Sequence, residues 1–218
     1  MLGSLKKKKE TDENKVPLAT VEEWYSLGLD CYNGKEGVPQ NYAKAAEWYT
    51  KAAEQGHADA QYQLGVCYEL GKGLTVSCST AMNWYTKAAE QGHADAQCSL
   101  WMLFNRGKGT QSENPAMAAK WLIKAAEQGH ADAQYWLGVC YGAGKGVPRN
   151  NSKAAKWFIK AAEQGHVSAQ YWLGVSYMEG DGVQKNYSKA IELWIKAART
   201  GHPDARKALK KHGEGWDE

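Results

Sequence analysis

The sequence predicts an all-α solenoid of five helix–turn–helix units followed by one capping helix. Three observations carry that prediction. The segment AAEQGHADAQ stands verbatim at 52–61, 88–97 and 125–134, returns as AAEQGHVSAQ at 161–170, and decays to AARTGHPDAR at 197–206. Successive copies start 36, 37, 36 and 36 residues apart, a period that marks a repeat array. Ten tryptophans and twelve tyrosines stand beside only two phenylalanines, and many of them recur at fixed places within the period. Each unit of such an array buries its apolar face against its neighbours, so the 218 residues build one elongated core.

Residues 1–18 are charged, lack periodicity and contain Pro17, and they read as a disordered basic leader. The run Lys6–Lys9 has no apolar anchor beside it, which leaves only weak affinity for anionic lipid. Leu2 displaces Gly3 from the position that myristoylation requires. No apolar stretch follows the lysines, so no signal peptide is expected. No run has the length of a transmembrane helix, so no stable membrane insertion is expected. Residues 1–15 hold five of the 27 basic and three of the 24 acidic side chains, leaving 22 against 21 for the repeats. That near-neutral remainder offers no electrostatic footprint for nucleic acid. The five cysteines (Cys31, Cys67, Cys78, Cys98 and Cys140) are odd in number and form no CxxC, which suits free thiols in a reducing, cytoplasmic setting.

From Thr20 onward each unit reads as two helices, the first members beginning near residues 21, 58, 94, 131 and 167. In the stretch 58–70, Ala60, Leu64 and Tyr68 fall on one helical face. Gly65 lies beside that face. A glycine there costs about 1 kcal/mol relative to alanine, so close approach of a neighbouring helix is expected. Gly28, Gly138 and Gly174 are its equivalents, but Trp101 takes the place in the third unit, where a local distortion is expected. Glycine-rich loops such as Gly71-Lys72-Gly73 and Gly144-Lys145-Gly146 then lead to Asn41, Ser77, Asn114, Asn150 and Asn186. All five can accept a hydrogen bond from the orphan amides of a second helix. Pro115 suits a first helical position. Over 42–55, Ala45, Trp48, Tyr49, Ala52 and Ala53 form the expected buried stripe, with Lys44, Glu47, Lys51 and Glu54 on the wet side. Gly56, Gly92, Gly129, Gly165 and Gly201 stop these helices in left-handed conformation. AAEQGHADAQ is thus the joint between units. A last helix over about 203–212 lacks the aromatic pattern and suits a polar cap, giving a solenoid over 19–212 and an acidic tail over 213–218.

This pattern resembles the Sel-one-like repeats, relatives of the tetratricopeptide repeats. Ala133, Leu137, Gly138, Tyr141, Gly144, Gly146 and Val147 match the first half of the motif. Lys153, Ala154, Trp157, Lys160, Ala161, Ala162, Glu163 and Gly165 match the second. The likeness spans roughly residues 20–205. Cys31 at the tyrosine position, Met117 at the lysine position and Trp194 placed after Leu193 depart from the motif. The resemblance implies a right-handed α-solenoid that serves as a protein-interaction scaffold. It also brings a competing reading, because a cysteine-rich branch of the family carries paired, disulfide-bonded cysteines and a proposed β-lactam-related hydrolase activity. The cysteines here lack that pairing.

Tempting chemistry meets physical objections. His57, His93, His130, His166 and His202 recur once per unit, but packed helices stand about 8–10 Å apart. Zinc needs its ligands about 2 Å from one centre. These histidines therefore read as polar residues opening the first helices. Gly107-Lys108-Gly109-Thr110 lies between helices and does not follow its lysine with Ser or Thr, unlike a P-loop. Cys67 and Cys140 read as inert structural thiols. No catalytic residue, metal or cofactor is expected.

Binding must use residues that vary where the core repeats. Two places before the motif leucine stand Tyr25, Tyr62, Cys98, Tyr135 and Tyr171, and two places after it Leu29, Val66, Met102, Val139 and Val175. If first helices line the inside of the superhelix, these make an apolar ladder on the concave face. Immediately before the leucine come Ser26, Gln63, Ser99, Trp136 and Trp172. The expected protein- or peptide-binding patch is Tyr62, Tyr135, Trp136, Val139, Tyr171, Trp172 and Val175, with the aromatic rings as anchors. The alternative is that these rings pack between adjacent first helices.

Overall fold

A computed structural model describes residues 20–35, 37–109 and 113–213. The leader over 1–18 and the tail beyond Gly213 lie outside the described residues. Eleven helices and no strand occur among those residues. They are α1 (Val21–Asn33), α2 (Tyr42–Glu54), α3 (Ala58–Leu70), α4 (Cys78–Glu90), α5 (Ala94–Arg106), α6 (Pro115–Glu127), α7 (Ala131–Ala143), α8 (Asn151–Glu163), α9 (Val167–Glu179), α10 (Tyr187–Arg199) and α11 (Pro203–Lys211). Each helix packs on the next in chain order, most extensively within the pairs α1/α2 to α9/α10. The result is an α-solenoid with α11 at its end.

Local chemistry sets the helix ends. Asn41, Ser77, Asn114, Asn150 and Asn186 cap the second helices, each accepting the amide three residues on. Pro115 opens α6, where an amide would have no helical partner. The first helices end at glycines with φ between +63° and +77° (Gly34, Gly71, Gly107, Gly144 and Gly180). Among the described residues no helix is long and apolar enough to cross a membrane.

The close approach expected at Gly65 is made by an aromatic ring. A Cβ on Gly65 would stand 2.6 Å from Tyr85 Cδ1, and one on Gly138 2.6 Å from Phe158 Cδ1. Gly28 meets Tyr49 and Gly174 meets Trp194 in the same way. The displaced Trp194 therefore fills the place held by Tyr49 and Tyr85, and its Nε1 donates to the Tyr171 carbonyl at 3.1 Å. The distortion expected at Trp101 does not show in the length of its helix. Helix α5 keeps the 13 residues of the other first helices, because the facing second-helix residue is Leu122, which shares its buried cluster.

Two side-chain assignments differ from expectation. Tyr68 is half-buried and Cys67 is the fully buried residue, since the inward stripe runs through Ala60, Gln61, Leu64 and Cys67. Likewise Tyr49 is buried while Trp48 lies at the rim, its ring under Lys51 Nζ at 4.2 Å. The same Lys-over-Trp contact recurs at Lys87/Trp84, Lys124/Trp121 and Lys160/Trp157.

A polar ladder ties the units together. Gln61, Gln97 and Gln134 are buried, and each Nε2 donates to an alanine carbonyl of the preceding helix (Ala53, Ala89 and Ala126). Each Oε1 accepts from the Nε2 of a glutamine one unit later: Gln91, Gln128 and Gln164, at 2.7–2.8 Å. Both ends of the buried amide are thereby satisfied.

Candidate functional site

Five histidines open the first helices and α11, as the sequence suggests, and the detail is informative. The Nδ1 atoms of His57, His93, His130, His166 and His202 accept the amides of Ala60, Ala96, Ala133, Ala169 and Ala205 at 3.1–3.3 Å. An accepting Nδ1 places the ring proton on Nε2. In the first four, Nε2 faces a carboxylate on the preceding unit: Glu22, Asp59, Asp95 and Asp132, at 3.0–3.2 Å. These imidazoles are used up as caps and struts between units.

The tyrosines of the expected patch share that work. Tyr62, Tyr135 and Tyr171 are half-buried and stack on His93, His166 and His202 at centroid separations of 4.6, 4.6 and 4.8 Å. Burial pushes all three phenols above their ordinary range.

Cys98 interrupts the tyrosine column. Its Sγ lies 3.6 Å from His130 Nδ1, and His130 Nε2 lies 3.0 Å from Asp95 Oδ1. The outline is that of a thiol–imidazole–carboxylate relay, but its electrostatics oppose one. Burial, with Asp95 and Asp132 adding to it, pushes the thiol up to about 12. The imidazole lone pair already serves the Ala133 amide. A reactive thiol needs the reverse, a lowered pKa.

The accessible apolar surface lies further along. Trp136 and Trp172 are 40% and 44% exposed. Trp136 packs 5.0 Å from both Trp101 and Tyr135. Trp172, Val139 and Val175 come together around a cleft of about 330 Å³ between α7 and α9, floored by Phe158 and Ala154. Tyr171 and Val175 border a second cleft of about 340 Å³ against α11. Tyr62 stands two units away. Of the seven expected residues, three line the first cleft, Tyr135 packs on its Phe158 wall, Trp136 packs toward Trp101 and Tyr135, and Tyr62 and Tyr171 do not reach it.

Gly142 opens that cleft, and sequence reasoning missed it. Its register equivalents are Tyr32, Glu69, Asn105 and Met178. Tyr32 packs toward Tyr49, and Glu69 accepts the Tyr85 hydroxyl at 2.7 Å. Gly142 brings no side chain, and Phe158 has no hydroxyl to satisfy. The one glycine in that column was the available signal.

The Sel1 repeat matches residues 25–57, 58–93, 94–130, 131–166 and 167–202. The chain belongs to the Sel1 repeat family. Sel1 repeat proteins generally act in protein–protein interaction. Among solved structures, this Sel1 chain is similar to c5321, a protective antigen of uropathogenic Escherichia coli displaying an SLR fold. Identity is 37%, TM-score 0.84, and coverage 91% of this chain and 43% of that one. This chain therefore spans less than half of that relative. A Sel1 repeat protein of Oxalobacter formigenes is 36% identical at TM-score 0.79, over 87% of this chain and 75% of that chain. The immunity protein Pa5087 of Pseudomonas aeruginosa is 25% identical at TM-score 0.52, over 85% of this chain and 67% of that chain. No curated protein sequence matches the chain.

Proposed function

We propose that this Sel1 chain is a non-catalytic, cytoplasmic adaptor that binds a protein or peptide along the concave face formed by its first helices. Trp136 and Trp172 are the anchors, and Val139 and Val175 supply the apolar bed. The single observation carrying the reading is the apolar cleft lined by Trp172, a residue 44% exposed at its edge. Aromatic anchors that become desolvated in a pocket commonly dominate interface energies. The likeness to an immunity protein of Pseudomonas aeruginosa is compatible with the same use.

The experiment is a crosslinking capture from the native host with the wild type, the Trp136→Ala/Trp172→Ala variant and Tyr187→Ala as an exposed aromatic control. Capture lost only in the tryptophan variant, with Tm kept within a few degrees, supports the reading. Parallel loss of capture and stability returns these rings to core packing.

The Cys98–His130–Asp95 proximity is the one observation favouring a hydrolase of the cysteine-rich kind. All five cysteines are free, so the disulfide framework of that branch is missing. Burial pushes Cys67 up to about 11 and raises Cys140 as well. Thiol titration tests the point: the adaptor reading expects Cys67 and Cys140 unreactive in the folded protein and five thiols after denaturation. Fewer than five would reopen the hydrolase.

A further inference from the structure

We infer that the cleft between α7 and α9 is a receptor for one basic side chain, an arginine above all, on the partner polypeptide. The inference rests on the docking reading above and adds to it the chemistry of the residue received.

An internal comparison points to that guest. At the joint between the first and second units the corresponding space is filled from within. Tyr32 and Tyr42 pack edge-to-face at 5.2 Å, and the loop lysine Lys72 caps the pair, its Nζ donating to the Tyr32 hydroxyl at 2.6 Å and lying 4.6 and 5.1 Å from the two rings. At the joint between the fourth and fifth units the three register equivalents are Gly142, Asn151 and Asp181. Both rings are gone, and the loop cation has become an anion. The space vacated is the cleft of about 330 Å³, at the small end of ligand clefts (roughly 300–1,000 Å³) and suited to a single side chain.

Its walls specify an amphipathic occupant with a positive tip. Phe158, Ala154, Val139 and Val175 offer only carbon to the interior, and Trp172 exposes part of its ring at the mouth. Glu179 and Asp181 stand at the rim. Asp181 takes an amide hydrogen from Asn151 on one oxygen. Among the described residues neither carboxylate has a lysine or arginine nitrogen within 4.0 Å. Arg149, the one cation on the lining, is turned toward Asn151, with its Nε donating to Oδ1 at 3.4 Å. An arginine lays its aliphatic stem along such carbon walls. Its planar guanidinium then stacks on the Trp172 ring and forks onto a carboxylate, which lysine does less well. A glutamate would meet two carboxylates, and a leucine would leave them unpaired.

The test titrates the full chain with blocked tripeptides Ac-Ala-Arg-Ala-NH2, Ac-Ala-Leu-Ala-NH2 and Ac-Ala-Glu-Ala-NH2, followed by NMR at the Trp172 indole and the Val139 and Val175 methyls. Expected are saturable shifts with the arginine peptide and a preference over leucine and glutamate of about tenfold, weakening as salt rises. Glu179→Gln/Asp181→Asn should remove that preference. Gly142→Met, which copies Met178 of the next unit and so keeps a helix-compatible residue, should abolish the shifts. Leucine binding as tightly as arginine, or shifts that persist in Gly142→Met, overturns the inference. The two readings fail separately. Tryptophan-dependent capture without arginine preference sinks only this inference. Arginine preference without tryptophan-dependent capture sinks the docking reading.

Discussion

Trp101 packs with Leu122 at the place where every other unit sets a glycine against an aromatic ring. The large ring stands on the first helix here, and the second helix carries a leucine in place of its ring. With no ring on the second helix for the Trp101 side chain to strike, α5 keeps the 13-residue length of the other first helices. Interiors packed near crystal density punish a large residue that is inserted with no accommodation on the facing helix.

Transplanting the exchange makes the first prediction. Gly138→Trp alone forces a ring onto Phe158, which already stands 2.6 Å from a Cβ at that site, and should cost about 3 kcal/mol or more. Adding Phe158→Leu should recover at least half of that loss. Urea unfolding of the two singles and the double reads the coupling; additive costs would refute it.

The glutamine ladder ends badly, and that end can be repaired. Gln170 donates to the Ala162 carbonyl, but its buried Oε1 has no partner among the described residues. The ladder position that would supply a donor holds Thr200. Thr200→Gln should stabilise the protein by about 0.5–1.5 kcal/mol, seen as a higher urea midpoint with unchanged slope. A lower midpoint would show that the Thr200 hydroxyl bond to Ala197 matters more.

Two buried tyrosines should respond oppositely to loss of their hydroxyls. Tyr85 donates to Glu69, whereas the Tyr49 hydroxyl is buried without a partner among the described residues. Tyr85→Phe should cost about 1 kcal/mol and Tyr49→Phe should be neutral or stabilising. Thermal unfolding of both variants decides it.

Stability should fall on mild acidification through His166. Burial lowers its pKa from the ordinary 6.5, outweighing Asp132 beside it. The unfolded chain then binds the proton more readily than the folded one. The contribution is full above pH 6.5 and is lost as pH falls below it. Protonation would also put a donor on Nδ1, against the Ala169 amide that it caps. His166→Asn keeps a cap without the titration, so it should lose less stability than wild type between pH 7.5 and 5.5. Equal losses would remove His166 as the cause.

The sequence alone determined the period, the helix pairs and almost every helix end. Those features depend on contacts within about four residues, between a cap and its amides or a glycine and its own φ, and such chemistry is legible along the chain. It also placed Trp172, Val139 and Val175 on one face, because helical phase follows from spacing. Only the tertiary structure decided which member of Trp48–Tyr49 enters the core, that four of the histidines reach a carboxylate about 35 residues earlier, and that glutamines pair about 30 residues apart. It alone turned Gly142 from a missing side chain into a cleft. A vacancy is a property of the surrounding walls, and here those walls come from α7, α8, α9 and the loop that follows α9.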